Sequence, residues 1–445
     1  VSQADPTVAA TITAKPITFS ATKVYDGMLD LTGDVSIVGL IAGESLVISG
    51  ALASDENVAT TDKFIASLSV TDGIGGLESN YDTPHIRNAT NAPVTITPAD
   101  LTVTAANDAK LKDQSDSTGY AGALYNGFVN GETVTALGDT LAIVRTNDAE
   151  EVGTYAGVLK PSGLTSTNYT ITFESGDYTI VGRDTLLLRS TATGTQEYGG
   201  TPSYTFASAQ YLNSSDQVID LSGGPNSNGS VSSSGATVTV TEGAAQADFD
   251  ITAVGGRLSN SGNLRVGGYN VQAGALNTIS GTLGFTSAIV SGNLSVTPKS
   301  IATPNSASLG ETTKVYDGST SVAGIDLSGA LSNIEDGDLV SLTGAGYFDD
   351  RHVGTGKTVT VGLALLGADA GNYVLPSTTL TNNEGKITPL ASVDFVGTNG
   401  SAWSDARSWA GGAIPDRKDA NAPDNVLQVN IGAGKTVTYD AAAVG

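Results

Sequence analysis

A short phrase recurs along this chain, and a repeat at long intervals constrains the fold more than any local feature. It reads Ala10-Thr11-Ile12-Thr13-Ala14-Lys15-Pro16-Ile17-Thr18 near the start and Val94-Thr95-Ile96-Thr97-Pro98-Ala99-Asp100-Leu101-Thr102 further on. It returns as Leu294-Ser295-Val296-Thr297-Pro298-Lys299-Ser300 and Gly385-Lys386-Ile387-Thr388-Pro389, with a degenerate copy at Asp177-Tyr178-Thr179-Ile180-Val181-Gly182. Each copy is an alternating strand stopped by Pro or Gly. Proline cannot donate to a ladder and so suits a strand end. The phrases cut the chain into units at 16–98, 99–182, 183–298 and 299–389. Residues 1–15 read as the tail strand of a preceding module, and 390–445 starts a new pattern. Both ends read as cut, which makes a longer polypeptide the expectation.

Further phrases keep a fixed order within the units. Lys23-Val24-Tyr25-Asp26-Gly27 opens the first, and Lys314-Val315-Tyr316-Asp317-Gly318 opens the fourth. Near the unit ends stand Asn80-Tyr81, Asn168-Tyr169, Tyr269-Asn270 (order reversed) and Asn372-Tyr373. Between phrases, period-2 runs such as Ala236–Thr241 and Lys357–Leu363 alternate with turn signals such as Asn130-Gly131 and Asp336-Gly337. Short helical turns fit only near Ala105–Asp113 and Ile334–Asp338. The fold class is therefore all-β: a tandem array of small sandwich-like (Ig-like) or grasp-like sheets. Four units of ~90 residues in line would make a rod roughly 140 Å long, with a radius of gyration near ~40 Å against ~22 Å for one globule. The tyrosines are expected to pack within their own units. Asp26-Gly27 and Asp317-Gly318 would form turns with glycine at positive φ, and each Asn of the Asn-Tyr pairs would bond a loop backbone.

Composition narrows the function. With 21 basic against 45 acidic residues and a net charge of −24, the chain lacks the clustered Lys and Arg that nucleic acid or anionic lipid would need. No apolar run approaches the ~20 residues of a membrane span. The absence of cysteine excludes disulfides, thiolate nucleophiles and Cys-ligated zinc. No catalytic constellation emerges either. Gly354-Thr355-Gly356-Lys357-Thr358 and Gly432-Ala433-Gly434-Lys435-Thr436 imitate a phosphate loop, but Arg351 and Val429 stand where its first glycine belongs, and both run into strands. His85 and His352 lie in different units, and His352 reads as a solvated hairpin residue. No nucleophile elbow accompanies them. The chain is thus expected to be no enzyme and to need no cofactor, although carboxylates beside turn glycines leave calcium at unit junctions open.

The Lys-Val-Tyr-Asp-Gly units, with Val353-Gly354-Thr355-Gly356-Lys357 and Gly367-Ala368-Asp369-Ala370-Gly371-Asn372-Tyr373, resemble the YDG repeats of bacterial exoproteins. The 99–182 unit resembles the companion MBG repeat through Leu101–Ala105, Gly127–Glu132 and Glu151–Tyr155. The 183–298 unit is similar at Glu197-Tyr198-Gly199-Gly200-Thr201-Pro202, after which a long insertion follows. The first unit departs from the family at Ala59–Phe64. The resemblance implies part of a filamentous-haemagglutinin-like biofilm adhesin secreted by a two-partner system, at the cell surface or outside it, with exopolysaccharide or surface glycans as candidate partners. The segment around Trp403 and Trp409 resembles the entry to a β-helix, a β-solenoid-like start in which the two indoles would either stack on sugar or cap the first coil.

Overall fold

The computed structural model describes residues 13–84, 87–302, 312–322, 325, 327 and 331–440. Most of the proposed tail strand at 1–15 therefore lies outside the described residues. Lys15-Pro16, which is inside them, pairs with Tyr81-Asp82 of the first unit. Among the described residues the protein is all-β, with short 3-10 turns and no α-helix. The other four copies of the recurring phrase each close a unit by pairing in parallel with a strand near that unit's beginning. Val94–Thr97 runs beside Ala21–Val24, Tyr178–Val181 beside Asp108–Leu111, Leu294–Thr297 beside Gly194–Glu197 and Lys386–Thr388 beside Thr313–Val315. The named ladders join strands within 15–97, 99–181, 185–297, 299–388 or 393–438.

Alternation in sequence becomes alternation in burial. In the strand Thr18–Val24, Phe19, Ala21 and Lys23 point inward, as a pleat of period 2 requires. The long insertion of the third unit becomes antiparallel strands, Gly229–Ser234, Thr237–Glu242 and Ala245–Ala253, which extend one sheet to seven strands. The helical turn expected near Ala105–Asp113 is instead the strand Asp108–Leu111, buried along its whole length. Its polar residues stay buried because Lys110 pairs with Asp116 and Glu150 at 2.9 and 2.8 Å, while Asp108 meets Arg189.

The apolar core does not stop at unit boundaries. Phe19, Tyr25 and Ile65 of the first unit share one cluster with Leu101, Val103 and Tyr169 of the second. The third and fourth units and the tail share another, and Ala109, Leu111 and Val181 meet Leu187 and Leu212 between the second and third. The accessible surface, 21777 Å², exceeds the ~15,700 Å² of one globule of this mass, so the units keep surfaces of their own. The straight rod is nevertheless corrected. The strand Leu46–Ala53 lies against Ser341–Phe348 of the fourth unit, so the array curves back on itself. Small residues permit the approach: a Cβ added to Gly50 would lie 3.7 Å from Ala345, and one on Gly362 would lie 3.4 Å from Leu52.

The tail is laid out differently. Val393 pairs with Val429, Asp394 with Asn430, Ser401 with Val437 and Ala402 with Thr438, all in parallel. Asp394 and Asn430, like Ser404 and Asp440, are bonded side chains 36 positions apart. One stretch of chain thus lies in register on the next, as successive coils of a solenoid do.

Candidate functional site

The Tyr-Asp-Gly phrase builds a stiff corner. Asp26 accepts from the Met28 amide at 3.0 Å and Asp317 from the Ser319 amide at 2.9 Å. Gly27 and Gly318 take φ of 69° and 79°. The lysine three residues before each aspartate is folded inward. Lys23 donates to the carbonyls of Met28 and Asp30 at 2.7 and 2.8 Å and pairs with Asp26; Lys314 does the same with Ser319, Ser321 and Asp317. The lysine therefore ties down the loop that follows, which composition alone did not indicate.

The corner aims the tyrosine out of its own unit, which corrects the expectation that it packs within it. Tyr25 is buried, and its hydroxyl donates to Glu132 Oε1 of the second unit at 2.6 Å. Tyr169 donates to the other oxygen of the same carboxylate, and the two rings meet edge to face with centroids 5.6 Å apart. The third and fourth units repeat this clasp. Tyr198, from the Tyr-Gly opening, and Tyr373 both donate to Asp338, with ring centroids 5.3 Å apart. Burial raises the Tyr25, Tyr169 and Tyr373 hydroxyls well above the ordinary phenol range, and the neighbouring carboxylates add to it. They stay protonated donors. For Asp338, burial pushes its carboxyl up, but hydrogen bonds from Tyr198, Tyr373 and Ser261 outweigh burial and hold it below the usual range.

The asparagines form the second half of each junction. Asn168 accepts from the Val58 amide of the first unit at 3.0 Å, and Asn372 from the Val266 amide of the third at 3.1 Å. Asn270, in the reversed pair, accepts from the Asn107 amide of the second unit at 2.8 Å. There Tyr269 donates to its own unit's Arg265 carbonyl, and an ion pair replaces the clasp. Asp108, wholly buried at its side chain, meets Arg189 at 3.0 Å and accepts from Ser291 and Ser117.

The tail docks on the fourth unit by the same devices. Tyr316 donates to the Ile414 carbonyl at 2.9 Å, and Arg351 pairs with Asp416. Asn425, fully buried, accepts from the Val353 amide at 2.9 Å and donates to Asp416 at 2.6 Å. Expected as solvated, His352 is instead half-buried with Nδ1 2.9 Å from the Asn425 amide nitrogen. Burial and the adjacent Arg351 lower its pKa. His85 lies outside the described residues. Trp409 is 1% exposed and so presents no face to a sugar ring; its indole N–H donates to the Trp403 carbonyl. Trp403 is half-buried, donates to Pro415 and stands 5.5 Å from Tyr439.

Asn80-Tyr81 of the first unit lies apart from these junctions. Tyr81 donates to Glu44 at 2.6 Å within its own unit, while Asn80 is exposed. From the sequence, Glu132 stands out only as the end of the MBG-like phrase, Asp338 only with Asp336 as a carboxylate pair beside a turn glycine, and Asp416 not at all. A signal for the first two existed: a glycine-acid pair precedes the tyrosine by 37 residues at Glu132 and by 35 at Asp338. Among the described residues no group of three or more His, Asp or Glu side chains is placed to hold a metal, and the junction carboxylates are engaged by hydroxyls, guanidinium or amide. The phosphate-loop imitations run as the strand Gly354–Leu366 and as a turn before Val437-Thr438. A cleft of about 560 Å³ between the first and fourth units is lined by Arg87, Lys314, Asp317 and Arg351 among others.

Among curated proteins nothing matches this chain. Residues 101–179 match the family model of the MBG domain (YGX type). Residues 297–380 match that of the YDG domain, so a YDG domain and an MBG domain are present in the chain.

Proposed function

We propose that this chain is a non-catalytic spacer segment of a large bacterial adhesin, secreted in the filamentous-haemagglutinin manner to the cell surface or beyond and serving adhesion, aggregation or attachment to a biofilm matrix. The observation behind this reading is the junction design. Unit after unit is fastened to its neighbour by buried tyrosine–carboxylate, asparagine–backbone or ion-pair contacts. Such contacts fix relative orientation, which a spacer needs and a flexible linker lacks. The rival reading is direct binding of an exopolysaccharide by the tail, where half-buried Trp403 stands beside the 65% exposed Tyr439. Pull-down of the purified chain with acidic and neutral exopolysaccharides separates the two. The spacer reading expects no saturable retention; saturable retention abolished by Trp403→Ala overturns it.

A further inference from the structure

The carboxylate that receives two tyrosines sits on a turn found three times among the described residues. In the second unit the turn is Val129-Asn130-Gly131-Glu132, closed by the Glu132 amide on the Val129 carbonyl at 2.9 Å. In the fourth it is Glu335-Asp336-Gly337-Asp338, closed at 3.1 Å. In the first it is Ile41-Ala42-Gly43-Glu44, closed at 3.0 Å. All three glycines take positive φ, at 71°, 98° and 88°. In all three the tyrosine of the Asn-Tyr pair accepts from the amide of the first turn residue and donates to the acid at the end. The amide distances are 3.2 Å for Val129 to Tyr169, 2.9 Å for Glu335 to Tyr373 and 3.0 Å for Ile41 to Tyr81. The spacing from acid to tyrosine is 37 residues in the first unit as in the second.

Two of these sockets are filled by a tyrosine from the preceding unit. Among the described residues no second tyrosine faces Glu44. The surroundings differ accordingly. Asn168 and Asn372 each accept from the neighbouring unit's backbone, whereas Asn80 is exposed. Asp369, which precedes the 3-10 turn before Tyr373, is wholly buried and paired with Arg265 of the third unit. Leu77, at the same place before Tyr81, is 52% exposed. Ile41 and Ile74 beside it are 49% and 84% exposed. The oriented carboxylate of the first unit is thus flanked by exposed Ile41 and Leu77, whereas the matching places in the fourth unit hold Glu335 and the buried, paired Asp369.

We propose that the face formed by Ile41, Glu44, Leu77, Asn80 and Tyr81 is a docking socket for another β-unit of this same kind, entered by the tyrosine of its Tyr-Asp-Gly or Tyr-Gly corner. The filled sockets define the occupant. A tyrosine ring stands edge to face on Tyr81, its hydroxyl donates to Glu44, and a backbone amide of the incoming unit donates to Asn80. This goes beyond the spacer reading, since it names a partner surface whatever separation the segment maintains.

The test replaces residues 1–13 of the chain with a second copy of residues 14–97, which keeps the Lys15-Pro16 strand of its unit and whose last threonine takes the place of Thr13. Hydrogen exchange should then slow at the amides of Ile41 to Glu44 relative to the parent chain. A double-mutant cycle between the copy's tyrosine (Tyr→Phe) and Glu44→Gln should show a coupling of about tenfold in the unfolding equilibrium of the added unit. The cycle between Tyr25→Phe and Glu132→Gln in the same protein is the reference. Additive losses at Glu44 beside coupled losses at Glu132 overturn the proposal. So does a copy that stays unfolded in front of native Glu44 while the remaining units fold.

Discussion

Two glycines with the same backbone conformation separate local from long-range constraint. Gly33 has φ of 88° and no heavy atom within 4 Å of where a Cβ would be. Gly318 has φ of 79°, and an added Cβ would lie 2.4 Å from the Gly412 carbonyl oxygen of the tail. Alanine at either position meets the left-handed penalty of ~1–2 kcal/mol. Only at Gly318 must the docked backbone also move, which adds a comparable overpacking cost. Gly33→Ala is therefore expected to lose about 1 kcal/mol and Gly318→Ala about 3 kcal/mol, measured by urea unfolding. Equal losses would mean that the tail does not press on this corner. The corner itself was legible in the sequence, because Asp-Gly after an alternating run is a local signal. Its second duty was not, since the atom that Gly318 accommodates belongs to Gly412.

At the level of strands and junctions, local patterning served well and contact across units did not. The recurring phrases are strands because alternation and a terminal Pro or Gly are properties of a few adjacent residues. Asp108–Leu111 escaped because all four residues are buried, so no alternation marked it and its Ala and Lys suggested a helical turn. Tyr25 and Glu132 stand 107 positions apart, and nothing in either neighbourhood announces the other. The buried pair of Asp108 and Arg189 makes the same point energetically. Asp108→Ala leaves the Arg189 guanidinium, only 24% exposed, without its carboxylate and should destabilise the protein by about 3 kcal/mol. Arg183→Ala removes a pair whose partners are 51% and 52% exposed and should cost less than about 1 kcal/mol. Chemical denaturation of both variants checks the contrast. Similar losses would show that the second and third units are not held by the buried pair.

For the whole molecule, the curvature decides what solution scattering should see. Contact between the first and fourth units places the radius of gyration between the ~22 Å of one globule and the ~40 Å of four units in line. Gly362→Glu puts a charged side chain against Leu52, which is 7% exposed on the facing unit. The variant should scatter as a more open array, moving toward ~40 Å with an unchanged far-ultraviolet dichroism spectrum. An unaltered radius would mean that this contact does not hold the array closed.

The register of the tail has a consequence for how polypeptide converts into distance. A unit of ~90 residues spans roughly 35 Å, or ~0.4 Å of axis for each residue. A coil that repeats after 36 positions advances by one strand spacing, ~4.8 Å, or ~0.13 Å for each residue. Where the chain passes from units to coils near residue 390, each ångström of axis comes to display about three times as many side chains. Beyond that point added sequence extends reach slowly and enlarges lateral surface quickly, the reverse of what the four units do.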